Sequence, residues 1–286
     1  MSFDFVNPLV IGILIGGLYA LIALGLSMVF GVMRLINLAH GDLVVLGSYL
    51  SYAIMTNLGL DPILSLVITI PVLFGLGFFI QQVLMRRAFA ISSEAPLIIA
   101  FGIALILQNL NQIFFTPMSR GISTTYSGAS FFLGSFQFPV YYLMDFGVAL
   151  IVMLALREFL KRTYLGRAIT AASQDSKAAE LMGISTKTIY GFAFAIAMIS
   201  AAIAGTFLGM TFPFTPVSGT QFLAIAFGVV IIGGLGSIFG TFIGGLIMGL
   251  AQTMGGHLLG TSAQMLIAYL IVIFLLGWRP QGLFGR

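Results

Sequence analysis

The chain has 286 residues, of which 59% are hydrophobic and only 7% charged. Twelve Lys and Arg stand against eight Asp and Glu, a formal net charge of +4. Soluble domains carry roughly 25% charged residues. This composition therefore excludes a soluble enzyme, a disordered tail and a nucleic-acid binder, and leaves an integral membrane protein with several spans. There is no cysteine, so disulfides, thiol nucleophiles and thiolate metal sites are excluded.

The start, Met1-Ser2-Phe3-Asp4-Phe5, lacks a basic region, and the apolar run after it is too long for a signal-peptide core. It reads as a first span, not a cleaved leader. A helix needs about 20 apolar residues to cross the hydrocarbon. Candidate runs lie near 8–33, 43–57, 62–85, 95–115, 140–160, 188–211, 219–234, 237–256 and 263–278. Their lengths suit helices, which satisfy their own backbone, and not tilted strands. The expected fold is all-α, a single polytopic bundle over 1–286 with eight or nine transmembrane helices. Some runs are short or broken by glycine.

Positive charges orient the bundle. Arg34 follows the first run, Arg86 and Arg87 the third, and Arg157, Lys161, Arg162, Arg167, Lys177 and Lys187 lie in or beside the connection after the fifth. Arg279 and Arg286 follow the last. Placing these inside leaves only Arg120 outside, with an external N-terminus and a cytoplasmic C-terminus. A re-entrant element near residue 40 would change the N-terminal side alone.

Between the first two runs lie Asn37, His40, Gly41 and Asp42. Polar groups there are costly in lipid and should face protein or a water-filled path. They are candidates for a pathway or gate, for capping a helix end, or for a proton relay through His40 and Asp42. The fourth run carries Gln108, Asn109, Asn111 and Gln112, suited to hydrogen-bonding a substrate or to gluing helices together. The external loop, about 116–139, holds two short apolar runs around Gly134-Ser135, which suits a hairpin; an irregular aromatic loop is the alternative. Asp145, at the start of the fifth run, is expected at the interface.

The cytoplasmic connection, about 161–187, is polar, alanine-rich and free of proline. Asp175 is a good N-cap and Gly183 a good C′ residue, predicting a short helix over Ser176–Met182. Ala178, Ala179 and Met182 form its small apolar face. It is either an interfacial helix or a docking helix for a cytoplasmic partner; the small side chains favour docking. Later, Gly233-Gly234-Leu235-Gly236 is placed to break a helix. Gly12 and Gly16, Gly205 and Gly209, and Gly236, Gly240 and Gly244 have helix-packing spacing. Trp278 and Arg279 suit an interface anchor.

The stretch from Gly166-Arg167-Ala168 through Ser173-Gln174-Asp175-Ser176-Lys177-Ala178-Ala179-Glu180-Leu181-Met182-Gly183-Ile184 resembles the coupling-helix loop of the branched-chain amino acid permease family of bacterial ABC importers. Asn37-Leu38-Ala39-His40-Gly41, Gly233-Gly234-Leu235-Gly236-Ser237-Ile238-Phe239-Gly240 and Trp278-Arg279-Pro280-Gln281-Gly282-Leu283-Phe284-Gly285 resemble its other motifs, in the same order. The similarity covers essentially the whole chain, and the length suits the shorter, LivH-type subunit. It implies a permease of the bacterial inner membrane for branched-chain amino acids or related small polar solutes. Its implied partners are a second permease, two ATPase subunits and a periplasmic binding protein. The resemblance makes Gly166, Arg167, Asp175, Ala178, Ala179, Glu180 and Gly183 the coupling segment. Asn37, His40, Gly41, Asp42, Gln108, Asn109, Gly233, Gly234 and Gly236 are the pathway candidates.

ATP hydrolysis is not expected here. A P-loop needs Gly-Lys-Ser/Thr, and Lys161, Lys177 and Lys187 follow Leu, Ser and Thr. ATP and Mg would sit on the partner ATPases, with no cofactor on this chain. The competing reading is an ion- or proton-coupled transporter that works without ATPases.

Overall fold

A computed structural model describes residues 5–285, apart from 93, 127, 134 and 135. The long helix α1 (Val6–Met33) is followed by α2 (His40–Leu58) and α3 (Pro62–Phe79). The last continues through a π-helical segment, Ile80–Met85, into α4 (Arg86–Phe89). Next come α5 (Ala95–Phe115), the strands β1 (Ser130–Leu133) and β2 (Phe136–Pro139), and α6 (Val140–Arg162). Two short helices, α7 (Tyr164–Gln174) and α8 (Ser176–Leu181), lead to α9 (Thr186–Thr211). The chain ends with α10 (Gly219–Gly233), α11 (Ile238–Leu259) and α12 (Gln264–Trp278).

Among the described residues, six helices are long and apolar enough to cross a membrane. The other three predicted spans, α2, α6 and α10, differ from these for physical reasons. α6 carries Arg157, Glu158, Lys161 and Arg162 at one end. α10 is short because the stretch before it is unwound, and α2, long enough at 19 residues, carries the polar His40, Asp42 and Asn57.

Loop contacts gather helix ends onto two sides. Phe5 at the start of α1 packs its ring against His257 near the end of α11. Tyr126 in the 116–139 loop donates to Asp61 between α2 and α3, at 3.2 Å. Arg120 and Phe214 exchange backbone hydrogen bonds at 2.8 Å, joining that loop to the α9–α10 connection. On the other side Gly31 near the end of α1 abuts Gly236, Gln82 donates to the Lys187 carbonyl at 3.0 Å, and the C-terminal tail reaches the end of α10. The two sets alternate along the chain, as a multi-pass bundle requires. They coincide with the division by charge, so the second side is the cytoplasmic one by the positive-inside rule. The polar stretch before His40 does not reverse this order; it is the lower part of the second crossing.

Glycine sets the closest helix pair. Gly12 and Gly16 of α1 face Gly245 and Gly249 of α11, where an added Cβ would strike backbone. Gly240 and Gly244 of α11 do the same against Gly233 and Val229 of α10. These are packing faces, as predicted for small residues at this spacing. Hydroxyls supply further links: Ser51 and Thr206 lie 2.6 Å apart across α2 and α9, and Ser48 donates to the Gly205 carbonyl at 2.6 Å. The core lies along α1 and α9, while α3, α5 and α12 are the least buried of the long helices.

The predicted hairpin is present. β1 and β2 are antiparallel with Leu133 opposite Phe136; the turn itself, Gly134 and Ser135, lies outside the described residues. Nearby, burial and then the Asp61 carboxylate push the Tyr126 phenol above its usual pKa range, so it remains a donor to Asp61. The interfacial placing of Asp145 is corrected. Its side chain is fully buried on the bundle side of α6 and accepts from Thr211 at 2.8 Å, because one turn into the helix it points at α9 and not at the headgroups.

The sidedness gives a direct expectation. In a chain with no native cysteine, Met118→Cys should react with an impermeant maleimide added outside whole cells. Leu181→Cys should react only after the inner face is opened. Both side chains are exposed. Labelling of residue 181 from outside would overturn the assignment.

Candidate functional site

The polar residues before α2 are held inside the bundle. α1 stops at Arg34, which takes a left-handed conformation. From there the chain runs without helix along α1, with Leu35, Asn37 and Ala39 buried. Irregular backbone at membrane depth is tolerated where protein covers it. The Asn37 Oδ1 accepts from the Ala39 amide at 3.1 Å, turning the chain into α2. His40, at the first position of α2, places Nε2 2.8 Å from the Ile22 carbonyl. That carbonyl only accepts, so Nε2 carries the proton and Nδ1 is left without a partner among the described residues. Ile22 lies 11 residues before the end of α1, about 16 Å from that end at 1.5 Å per residue. α2 therefore begins well inside the bilayer.

α10 begins at the same place from the opposite side. Thr211 ends α9, and Phe212–Ser218 descends from the outer face, clipped by the Arg120–Phe214 bridge. Pro213 and Pro216 keep this stretch out of a helix. α10 then starts at Gly219. A Cβ on Gly41 would strike the Gly219 carbonyl, and a Cβ on Gly219 would strike the Asp42 carboxylate. The N-termini of two helices thus meet around Asp42. Helix N-termini carry partial positive charge, roughly half an elementary charge each, and the Asp42 carboxylate sits where it compensates them. Gln108 of α5 donates to Asp42 Oδ1 at 3.0 Å and closes the cluster from a third helix.

The cluster opens to one side. α5 and α10 flank the start of α2. Gln108 is half-buried, while Gln112 of α5 and Thr220 and Gln221 of α10 are exposed. Asn111 is buried. Asn109 bends back onto the Leu105 carbonyl at 2.7 Å and faces outward among Ile106 and Ile113, so it is not brought to the cluster. No hydrogen bond joins His40 to Asp42 among the described residues.

Gly233, Gly234 and Gly236 lie elsewhere. Gly233 is 14 residues from Gly219, about 21 Å along α10. Gly234 and Gly236 have φ of 97° and 81° and turn the chain from α10 into α11. This is the predicted helix break, but it packs on Gly31 and the C-terminal tail. The amides of Leu283 and Phe284 donate to the Ile232 and Gly233 carbonyls, satisfying acceptors that the helix end leaves open.

The short cytoplasmic helix forms as its caps dictate. Thr163 caps α7 through the Gly166 amide at 2.9 Å. Gly166 is fixed because a Cβ there would strike the α6 backbone at Phe159; Arg167 beside it is exposed. Asp175 Oδ1 accepts from the Lys177 and Ala178 amides, both at 3.0 Å. Gly183, with φ of 84°, ends α8. One expectation needs correction. Ala179 is only 5% exposed and packs against its own chain, so Ala178, Ala179 and Met182 do not share an outward face. Leu181 and Met182 point out instead, at 89% and 82% exposure. The Glu180 carboxylate accepts from the Thr186 hydroxyl, tying α8 to the start of α9.

Two features were missed from sequence: Gly219 as the partner of Gly41 and Asp42, and Leu181 and Met182 as the exposed pair. The signal for the first was present in the two prolines that precede Gly219.

Comparison with known proteins places this architecture. The family model "Branched-chain amino acid transport system / permease component" matches residues 9–276. The chain is 33% identical to the high-affinity branched-chain amino acid transport system permease protein BraD of Pseudomonas aeruginosa, covering 99% of this chain and 97% of that one. It is 32% identical to the corresponding permease protein LivH of Escherichia coli K12, covering 99% and 96%. Among solved structures, a chain of PsaBC from Streptococcus pneumoniae in complex with Fab shares the fold, with a TM-score of 0.51, 15% identity, and coverage of 95% of this chain and 90% of that one. The chain therefore belongs to the branched-chain amino acid transport permease family, as a multi-pass inner-membrane permease component of the ABC-importer class.

Proposed function

We propose that the chain forms one half of the translocation pathway of an ATP-driven importer, and that its cargo is a branched-chain or related small amino acid. The observation that carries this reading is the meeting of the α2 and α10 N-termini around Asp42 and Gln108, inside the bilayer. Transporters use such broken helices to aim backbone charge at a solute near the membrane midplane. A zwitterion suits this centre, since helix N-termini favour a carboxylate and Asp42 favours an ammonium group. Asn37, His40 and Gly41 hold the turn that brings Asp42 there.

The second half of the pathway comes from another permease. Gln112, Thr220 and Gln221 are exposed beside the polar centre, and polar groups at that depth belong against protein or water. A partner permease facing the α5–α10 groove meets that need. The energy comes from two ATPase subunits that hold ATP and Mg. α8 is the element they grip, with Asp175 and Gly183 fixing its ends and Gly166 fixing α7 against α6. A periplasmic binding protein delivers the solute to the outer face near Arg120.

The test is reconstitution. The chain alone in liposomes should neither hydrolyse ATP nor accumulate leucine. With the second permease, the ATPases and the binding protein, ATP-dependent uptake should appear. Uptake driven by a proton gradient without the ATPases would overturn the reading.

A further inference from the structure

The crossing that starts as α3 widens before it reaches the cytoplasmic side. The π-helical segment Ile80–Met85 breaks the helical spacing, a feature that recurs at functional positions. Within it Gln81 is 2% exposed, and its Oε1 has no hydrogen-bond partner among the described residues. Beside Gln81 is a cavity of about 310 Å³, lined by Arg86, Phe89, Thr186, Lys187 and Tyr190. Its walls are mainly apolar. Arg86 and Lys187 are exposed, and neither forms an ion pair among the described residues. The outward face of α3, with Val67, Val72 and Phe79 exposed, leads down to the cavity from the lipid side.

We propose that this cavity binds the headgroup of an anionic phospholipid of the inner leaflet, with phosphatidylglycerol as its simplest occupant. Arg86 and Lys187 face the phosphate, as basic pockets between helices do at this level of the membrane. Phe89 and the aliphatic walls take the glycerol ester region and the first methylenes. The Gln81 side chain closes the inner end of the cavity. A free phosphate ion would leave the apolar walls unused. The position matters because Thr186 and Lys187 begin α9. Thr186 is bonded to Glu180 of α8 and Lys187 to Gln82. A bound lipid therefore braces the α8–α9 junction against the end of α3. The inference rests on the membrane orientation and not on the identity of the transported solute.

The experiment is native mass spectrometry of the full chain in neutral detergent, offered phosphatidylglycerol or phosphatidylcholine in equal amounts. Retention of phosphatidylglycerol should exceed that of phosphatidylcholine at least five-fold, a comparison that needs no variant. Arg86→Gln with Lys187→Gln should lower phosphatidylglycerol retention about ten-fold. Arg87→Gln removes an equal charge from a side chain outside the cavity and should leave retention unchanged. Excess inorganic phosphate should not displace the lipid. Equal retention of the two lipids, an equal loss in Arg87→Gln, or displacement by phosphate would each overturn the site. Uptake by the reconstituted importer is a separate measurement, so a failed lipid site and a failed transport reading are distinguishable.

Discussion

Leu181→Asp combined with Met182→Asp is expected to cut binding-protein-stimulated ATP hydrolysis at least ten-fold while leaving the protein in the membrane at its normal level. Both side chains are almost entirely exposed, and exposed substitutions usually change stability by less than about 0.5 kcal/mol. Nothing in the fold is lost, because α8 is held by Asp175, by Gly183 and by the Glu180–Thr186 bond. What is lost is the apolar pair that a partner would bury, and interface energy concentrates in a few such contacts. Two carboxylates there would have to be desolvated on docking. Ala179→Trp makes the contrast. Its site is buried against the chain itself, and overpacking a filled site costs about 1–3 kcal/mol. That variant should fall in membrane abundance, so its loss of activity would say little about docking. Abundance, ATPase co-purification and stimulated hydrolysis should be measured side by side. Normal stimulation and uptake in the double Asp variant would make α8 an interfacial helix that rests on the headgroups.

The correction at Ala179 shows where sequence reasoning stops. The caps of α8 were legible because Asp175 and Gly183 act locally, each through its own backbone neighbours. The direction of a face is not local. Helical spacing places Met182 beside Ala178 and Ala179 only if the helix continues through it, and Met182 already leaves the helix at φ −86° and ψ 9°. Asp145 failed for a related reason. Its distance along the run was clear, but whether it faced lipid, headgroup or α9 depended on the neighbouring helix. The all-α, multi-pass bundle was readable because charge and length are summed properties. The polar centre was readable in part. His40, Asp42 and Gln108 announce themselves as polar residues in apolar runs. Gly219 does not, since its importance comes only from the close approach of Gly41.

That close approach yields the most severe expected effect. Gly219→Val should fail to accumulate in the membrane, falling about ten-fold or more. Its Cβ would overlap the Asp42 carboxylate and lie 2.7 Å from the Asp42 amide nitrogen. The obstacle is backbone as well as side chain, so no rotamer change relieves it, and α10 would have to withdraw from α2. Withdrawal would uncover two helix ends inside the bundle, and unsatisfied backbone in the bilayer costs several kcal/mol per group. The lost fold makes this variant a test of the junction, not of transport. Asp42→Asn separates the two. It keeps the shape of the side chain and an acceptor for Gln108, so membrane abundance should stay near normal. It removes the carboxylate that faces two helix N-termini, an interaction of up to about 2 kcal/mol in partly buried geometry. It also removes the one acid at the meeting point of the broken spans. ATP-dependent uptake by the assembled importer should therefore drop at least ten-fold, measured as radiolabelled leucine entering liposomes. If Asp42→Asn transports at the normal rate, the junction of α2 and α10 is a packing device, and the solute passes along the α5–α10 groove without meeting it.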